Sequence, residues 1–230
     1  MAHWKFETLL SEKSLFFPNA NKLSDQYEVT IPDSTLASKR RHLENNGYKG
    51  DNLEEKMAAF HWETNPIKDL VLANCWSVSQ HESYALWKIY LGGEKNGVAI
   101  RSTLSSLKKA IINGGDPYPE EFYMGRIKYR AHLKYDELAR LSIITTKKPF
   151  YDFEKELRVI IINNTLLDGG ATPPYDISKG RSVNIDLSTL VHCIYVSPFS
   201  EPSYSRDVGS ILKSSKLKAG LLKQSDIRDK

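Results

Sequence analysis

The stretch Phe153-Glu154-Lys155-Glu156-Leu157-Arg158-Val159-Ile160-Ile161-Ile162 sets the frame for the whole chain. Its second half is almost continuously β-branched, which suits a strand buried on both faces at the centre of a sheet. Its first half is charged, so a polar loop must feed directly into that buried strand. Side chains at i, i+2 and i+4 of a strand share a face, which predicts one row of Glu154, Glu156 and Arg158. A neighbouring carboxylate raises a carboxyl pKa and a neighbouring guanidinium lowers it, so the row can hold one acid ionised in a partly dry place. An ionised Glu156 can then stabilise an oxocarbenium-like cation, as carboxylates do in glycosyl transfer. The ordinary reading of the same pattern is an edge salt bridge.

Working outward, Leu70–Trp76 reads as a second buried strand, and Val98–Ile100 and the alternating Phe122–Tyr129 as two more. Downstream, Val183–Leu187 and Val191–Ser197 follow one another as strands. Helical spacing marks Glu82–Leu91, Leu104–Ile112, Tyr135–Ile144 and Pro202–Ser215, with Gly92-Gly93 and Gly114-Gly115 closing the first two. At the amino-terminal end, His3–Phe6, Ser14–Pro18 and Tyr27–Pro32 read as short extended pieces, while Thr165–Gly180 reads as a surface loop. Residues 33–66 carry a mostly polar helical pattern and read as an insertion. Helices and strands interleave irregularly and consecutive strands fall late. The predicted fold is therefore α+β, a mixed and largely antiparallel central sheet flanked by helices, in one domain over residues 1–230.

Composition excludes several classes. Cys75 and Cys193 are far apart, without CxxC or Cys/His spacing, and the six histidines are scattered, so neither a disulfide framework nor a zinc site is expected. Fully apolar runs fall far short of the roughly 20 residues that span a bilayer, and MAHWKFETLL has no signal-peptide pattern, so no membrane and a cytoplasmic location are expected. The net charge of +4 permits nucleic acid as a partner, but Lys39-Arg40-Arg41, Lys108-Lys109 and Lys147-Lys148 are short, separate runs that read as solvated faces. Nucleotide-binding glycine loops and the common hydrolase motifs are absent.

A second constellation is Asn74-Cys75-Trp76-Ser77-Val78-Ser79-Gln80-His81-Glu82-Ser83, where a buried strand turns through hydroxyl residues into a helix. Such a corner suits an anion or a ribose hydroxyl, with Ser77 and Ser79 beside the first N–H groups of the helix. Trp76, Trp87 and Tyr90 offer flat faces for an aromatic ring. The plainer alternative makes Ser79 a helix cap, with Glu82 completing a capping box, and Trp87 and Tyr90 core residues. In Leu23-Ser24-Asp25-Gln26-Tyr27-Glu28, Asp25 and Glu28 read as a turn and a strand-end charge.

Taken in order, these motifs resemble a bacterial family known as domain of unknown function 2971. The matching segments are Trp4-Lys5-Phe6, Ser24–Glu28 in part, Trp76–Ser79 with Glu82-Ser83, Trp87-Lys88-Ile89-Tyr90, Gly97–Ile100, the Glu154/Glu156/Arg158 row and Val196-Ser197-Pro198. Gln26 and Ser24 depart from that family's pattern. A fold-level resemblance to ADP-ribosyltransferases implies an activity. It makes the protein an ADP-ribosyltransferase-like or NAD-cleaving enzyme, in phage defence or a toxin system, with NAD as substrate. On that resemblance Glu156 is catalytic, Glu154 orients substrate, and Lys5, Ser77, Ser79, Trp87, Tyr90 and Arg158 bind the cofactor. The first element lacks the arginine those enzymes use, leaving Lys5 or His3 to serve. The alternatives are a module that binds nucleic acid or protein without catalysis, or a magnesium nuclease built from Asp25, Glu28, Glu154 and Glu156. The last requires the acidic turn to reach the late strand. Glu156→Gln is expected to remove turnover without loss of stability, because an edge carboxylate contributes little to a core.

Overall fold

The computed structural model describes residues 1–23, 25, 28–64, 67–118, 121–131, 139–163, 173–215 and 217–227. The chain divides into two compact units, each assembled from separate segments: Phe17–Val78 with Glu120–Arg181, and Met1–Phe16 with Ser79–Pro119 and Ser182–Lys230. Helices and strands occur in both, and most of the strand pairings are antiparallel, so the class is α+β, as read from the sequence.

In the first of these units, helices α2 (Asp33–Asn45), α3 (Gly50–Thr64) and the single turn α4 (Ile67–Leu70) precede strand β2 (Val71–Ser77). Strands β4 (Phe122–Arg126), β5 (Lys128–Tyr129), β6 (Thr146–Lys147) and β7 (Glu156–Ile162), with helix α7 (Arg140–Ile144), complete it. The sheet order is β2-β7-β4, both pairings antiparallel, so β7 is central as its β-branched run requires. The alternation over Phe122–Tyr129 is divided by Ile127: β4 pairs with β7, whereas β5 turns to pair in parallel with β6. Ala20, Val29, Ile67, Val71, Ile143, Ile144 and Ile160 form a core on one face of β7. Burial of that apolar surface is what holds the sheet against its helices.

In the other unit, β3 (Val98–Arg101), β9 (Cys193–Val196) and β10 (Leu222–Gln224) make a sheet of order β10-β9-β3. Helices α1 (His3–Glu12), α5 (Tyr84–Leu91), α6 (Leu104–Asn113), α8 (Leu187–Leu190) and α9 (Pro202–Ser214) belong to it. So do β1 (Ser14–Phe17) and β8 (Arg181–Asn184), which pair with each other, apart from Phe17 and Arg181.

Three local readings change. His3–Phe6 is helical, because Phe6, Leu9 and Leu10 at i, i+3 and i+4 give α1 a buried stripe that outweighs a four-residue alternation. The described part of Tyr27–Pro32 holds a turn at Glu28 and Val29, with Val29 left-handed at φ 55. Helix α5 starts at Tyr84 and is capped by Ser83, whose Oγ accepts from the Leu86 N–H; Ser79 does not cap it. Ser24, Gln26 and Tyr27, residues 135–138 of the predicted helix Tyr135–Ile144 and residues 165–172 of the predicted loop Thr165–Gly180 lie outside the described residues. The described remainder of that helix, Arg140–Ile144, is helical. Among the described residues no helix is long and apolar enough to cross a membrane.

Candidate functional site

Strand β7 starts immediately after a reversal. Pro149–Glu154 forms a 3-10 segment that ends on Lys155 in a left-handed conformation at φ 45. That residue carries Glu154 out of the strand's row. The i, i+2 alignment therefore holds for Glu156 and Arg158, whereas Glu154 reaches the same place from the turn before them.

There five charged side chains meet inside the unit. Arg158 is inaccessible to solvent, Glu28 and Glu156 are each 4% exposed, Lys147 6% and Glu154 9%. The Arg158 guanidinium donates from Nε to Glu156 Oε1 at 2.6 Å, from Nη1 to the Ile144 carbonyl at 2.8 Å, and from Nη2 to Glu28. The Lys147 ammonium lies 2.8 Å from Glu28, 2.6 Å from Glu154 and 3.5 Å from Glu156. Its Nζ also sits 4.4 Å from the centroid of the Tyr151 ring. Burying so many charges is tolerable only because the two cations between them engage all three acids.

The local backbone explains the convergence. Arg158 lies between Cys75 on β2 and Gly125 on β4, and the bare glycine leaves room for the Thr145 side chain, which a Cβ there would meet at 2.9 Å. Lys147 ends β6, which β5 holds in register. The Glu156 N–H donates to Tyr129 Oη at 2.8 Å and its carbonyl accepts from the Ile127 N–H at 2.9 Å, so both sides of that residue are fixed.

Electrostatics separate the two glutamates of the motif. Burial alone would raise the Glu156 pKa, but the Arg158 hydrogen bond and charge, the Cys75 thiol and Lys147 outweigh it, and Glu156 titrates below the usual range. Burial raises that of Glu154, with the Glu156 and Glu28 charges adding to it and Lys147 opposing, and the net direction is upward. Lys147 is held protonated: its burial would lower its pKa, but Glu154 and Glu28 raise it further. The Cys75 thiol is pushed up by burial and then by the Glu156 charge, so it is an inert neighbour and not a nucleophile.

The sequence-predicted residues fall in two groups. Ser77, Glu154, Glu156 and Arg158 come together: Ser77 pairs with Glu156 across β2 and β7, and its hydroxyl donates to the Glu154 carbonyl at 2.7 Å. The other four belong to the second unit. Lys5 is an exposed residue of α1, 5.4 Å from the Trp4 ring. Ser79 Oγ donates to the His81 carbonyl at 2.6 Å. Trp87 is a buried core residue whose Nε1 donates to Glu82 at 3.0 Å, and Tyr90 is exposed.

Two findings revise expectations. Glu156 opens the central strand β7 and is buried within the ion network, so it is not the edge carboxylate on which the expectation of unchanged stability in Glu156→Gln rests. The acidic turn does reach the late strand, as a nuclease centre would need, since Glu28 joins the cluster. However, the space between the carboxylates is taken by the Lys147 ammonium, and among the described residues no three potential ligands are grouped around a metal position. Sequence reasoning missed Lys147, whose pairing with Lys148 before a proline looks like a solvated run. In comparisons with known proteins, no family model, no curated protein and no solved structure matches this chain.

Proposed function

We propose that this protein cleaves the glycosidic bond of NAD or a related nucleotide, with the Glu154–Glu156 pair as its working carboxylates. The observation that carries the reading is geometric: the two carboxylates meet in one buried cluster, 2.6 and 3.5 Å from the same Lys147 ammonium, and their titration is shifted in opposite directions, Glu156 downward and Glu154 upward. Environments that push two nearby carboxyl groups apart are how one site supplies both a fixed anion and a proton carrier. Glu28, Glu154 and Glu156 against Lys147 and Arg158 give 3 − 2, a surplus of one negative charge when all are ionised. A preorganised negative centre stabilises a developing ribosyl cation.

In this reaction the bond from the ribose anomeric carbon to the nicotinamide nitrogen breaks, and its electron pair leaves with neutral nicotinamide. The resulting oxocarbenium ion is captured by water or an acceptor hydroxyl, whose proton passes to Glu154. An upward-shifted carboxylate is the better base for that step. Glu156 is sealed from solvent and acts through its field, not by contact. Support for stacking comes from Phe150 and Phe153, large aromatics left exposed on the segment that leads to the pair. Equilibrium dialysis with labelled NAD tests the binding half of the proposal. Saturable binding that Phe150→Ala and Phe153→Ala weaken is the expected result, and no retained label at millimolar NAD overturns it.

A further inference from the structure

The three-stranded sheet of the second unit has two unlike faces. Directly paired residues share a face, so Val98, Ile100, Ile194, Val196 and Leu222 lie on one side. Val98, Ile194 and Val196 are fully buried there. The opposite face carries Arg101 across from Cys193, and Lys223 across from Tyr195. The two cations stand on the outer strands with β9 between them, two strand spacings of about 4.8 Å apart across the sheet and offset by two residues, about 6.6 Å, along it.

Over that face lies a cleft of about 590 Å³, lined by Arg101, Lys223, His192, Ser79, Ser102 and Thr103, with Gln80 and Cys193 completing the wall. The volume is that of a small-molecule site. No acid is among these residues, although the chain contains 28. Arg101 and Lys223 are exposed, and among the described residues neither is ion-paired. Thr103 caps α6, its Oγ1 accepting from the Ser106 N–H at 3.1 Å, so the positive end of a ten-residue helix borders the same space. His192 Nε2 and Ser106 Oγ lie 2.8 Å apart, which fixes the ring at the rim.

Two separated cations and no carboxylate make a concave field of one sign. We propose that this cleft binds a phosphate-bearing small molecule, with Arg101 and Lys223 gripping phosphate oxygens and the Thr103 hydroxyl, which accepts from the Ser106 N–H, donating its own proton to a phosphate oxygen. The inference stands apart from the glycosidic-bond proposal, because the residues belong to a different unit and include neither Glu154 nor Glu156.

The test is calorimetric titration of the full chain at low salt with inorganic pyrophosphate, ADP and adenosine. Pyrophosphate and ADP are expected to bind and adenosine is not, with each of Arg101→Ala and Lys223→Ala weakening binding about tenfold. Both residues are exposed, so the variants should unfold at the wild-type temperature, which separates lost binding from lost fold. Tighter binding of ADP than pyrophosphate identifies a nucleotide site, and equal binding identifies a site for the phosphate group alone; either supports the inference. It is overturned if neither phosphate compound binds, if adenosine binds as well as ADP, or if the double variant binds like wild type.

Discussion

Arg158 and Glu28, 130 positions apart in the chain, form an ion pair with both side chains shut away from solvent. The pair ties the turn after the first buried residues of its unit to the central strand β7. It also means that removing either cation of the cluster leaves buried carboxylates short of a counter-charge.

Breaking one partner of a buried pair typically costs about 3–5 kcal/mol, while replacing both by apolar residues of similar size costs far less. Arg158→Met and Glu156→Leu should each lower unfolding stability by about that amount. The double variant should be more stable than the sum of the two losses allows. Urea unfolding of the three variants gives the coupling energy, and additivity of the single effects would show that the two side chains act independently.

Stability should depend on pH in opposite senses at the two glutamates. Glu156 titrates below its ordinary 4.5 in the folded protein, so its contribution is present above that pH and is lost as pH falls through the folded value. Glu154 titrates above 4.5, so its contribution is present below 4.5 and is lost as pH rises through the folded value. Glu154→Gln cannot ionise, and the difference in Tm between it and wild type should move in the variant's favour as pH increases from 4 to about 8. A difference that stays constant would remove the upward shift from the account.

Gly114 closes α6 where a side chain has nowhere to go. A Cβ there would lie 2.1 Å from the Asn184 carbonyl oxygen and 2.6 Å from Ile185 Cα, both backbone atoms that cannot swing aside. Gly114→Ala should destabilise by about 1–3 kcal/mol or more, as overpacking does. Thermal unfolding checks it, with Gly115→Ala as a comparison where strain comes from φ 64 and not from contact.

How much of this was legible in the sequence depends on the range of the cause. The central position of β7 could be read because a β-branched run declares its own burial, and the shared face of Glu156 and Arg158 follows from strand periodicity. The left-handed Lys155 could not be read, since nothing in its type requires φ 45. Glu28 and Lys147 join the cluster only through the folding of distant segments, and each looks locally like a surface charge. Trp87 and Tyr90 share a Trp-x-x-Tyr motif, yet Trp87 turns to the core and Tyr90 to solvent. Residues three apart sit about 60° from one another around an α-helix, so spacing alone leaves such a divergence open.

The most direct measurement is nicotinamide release from NAD by the full chain, followed by chromatography at neutral pH. Wild type should release nicotinamide and Glu154→Gln should lose roughly a hundredfold or more of that rate, with circular dichroism confirming that the variant is folded. If wild type leaves NAD intact over a day, or folded Glu154→Gln releases nicotinamide at the wild-type rate, the paired carboxylates are not the centre of that reaction.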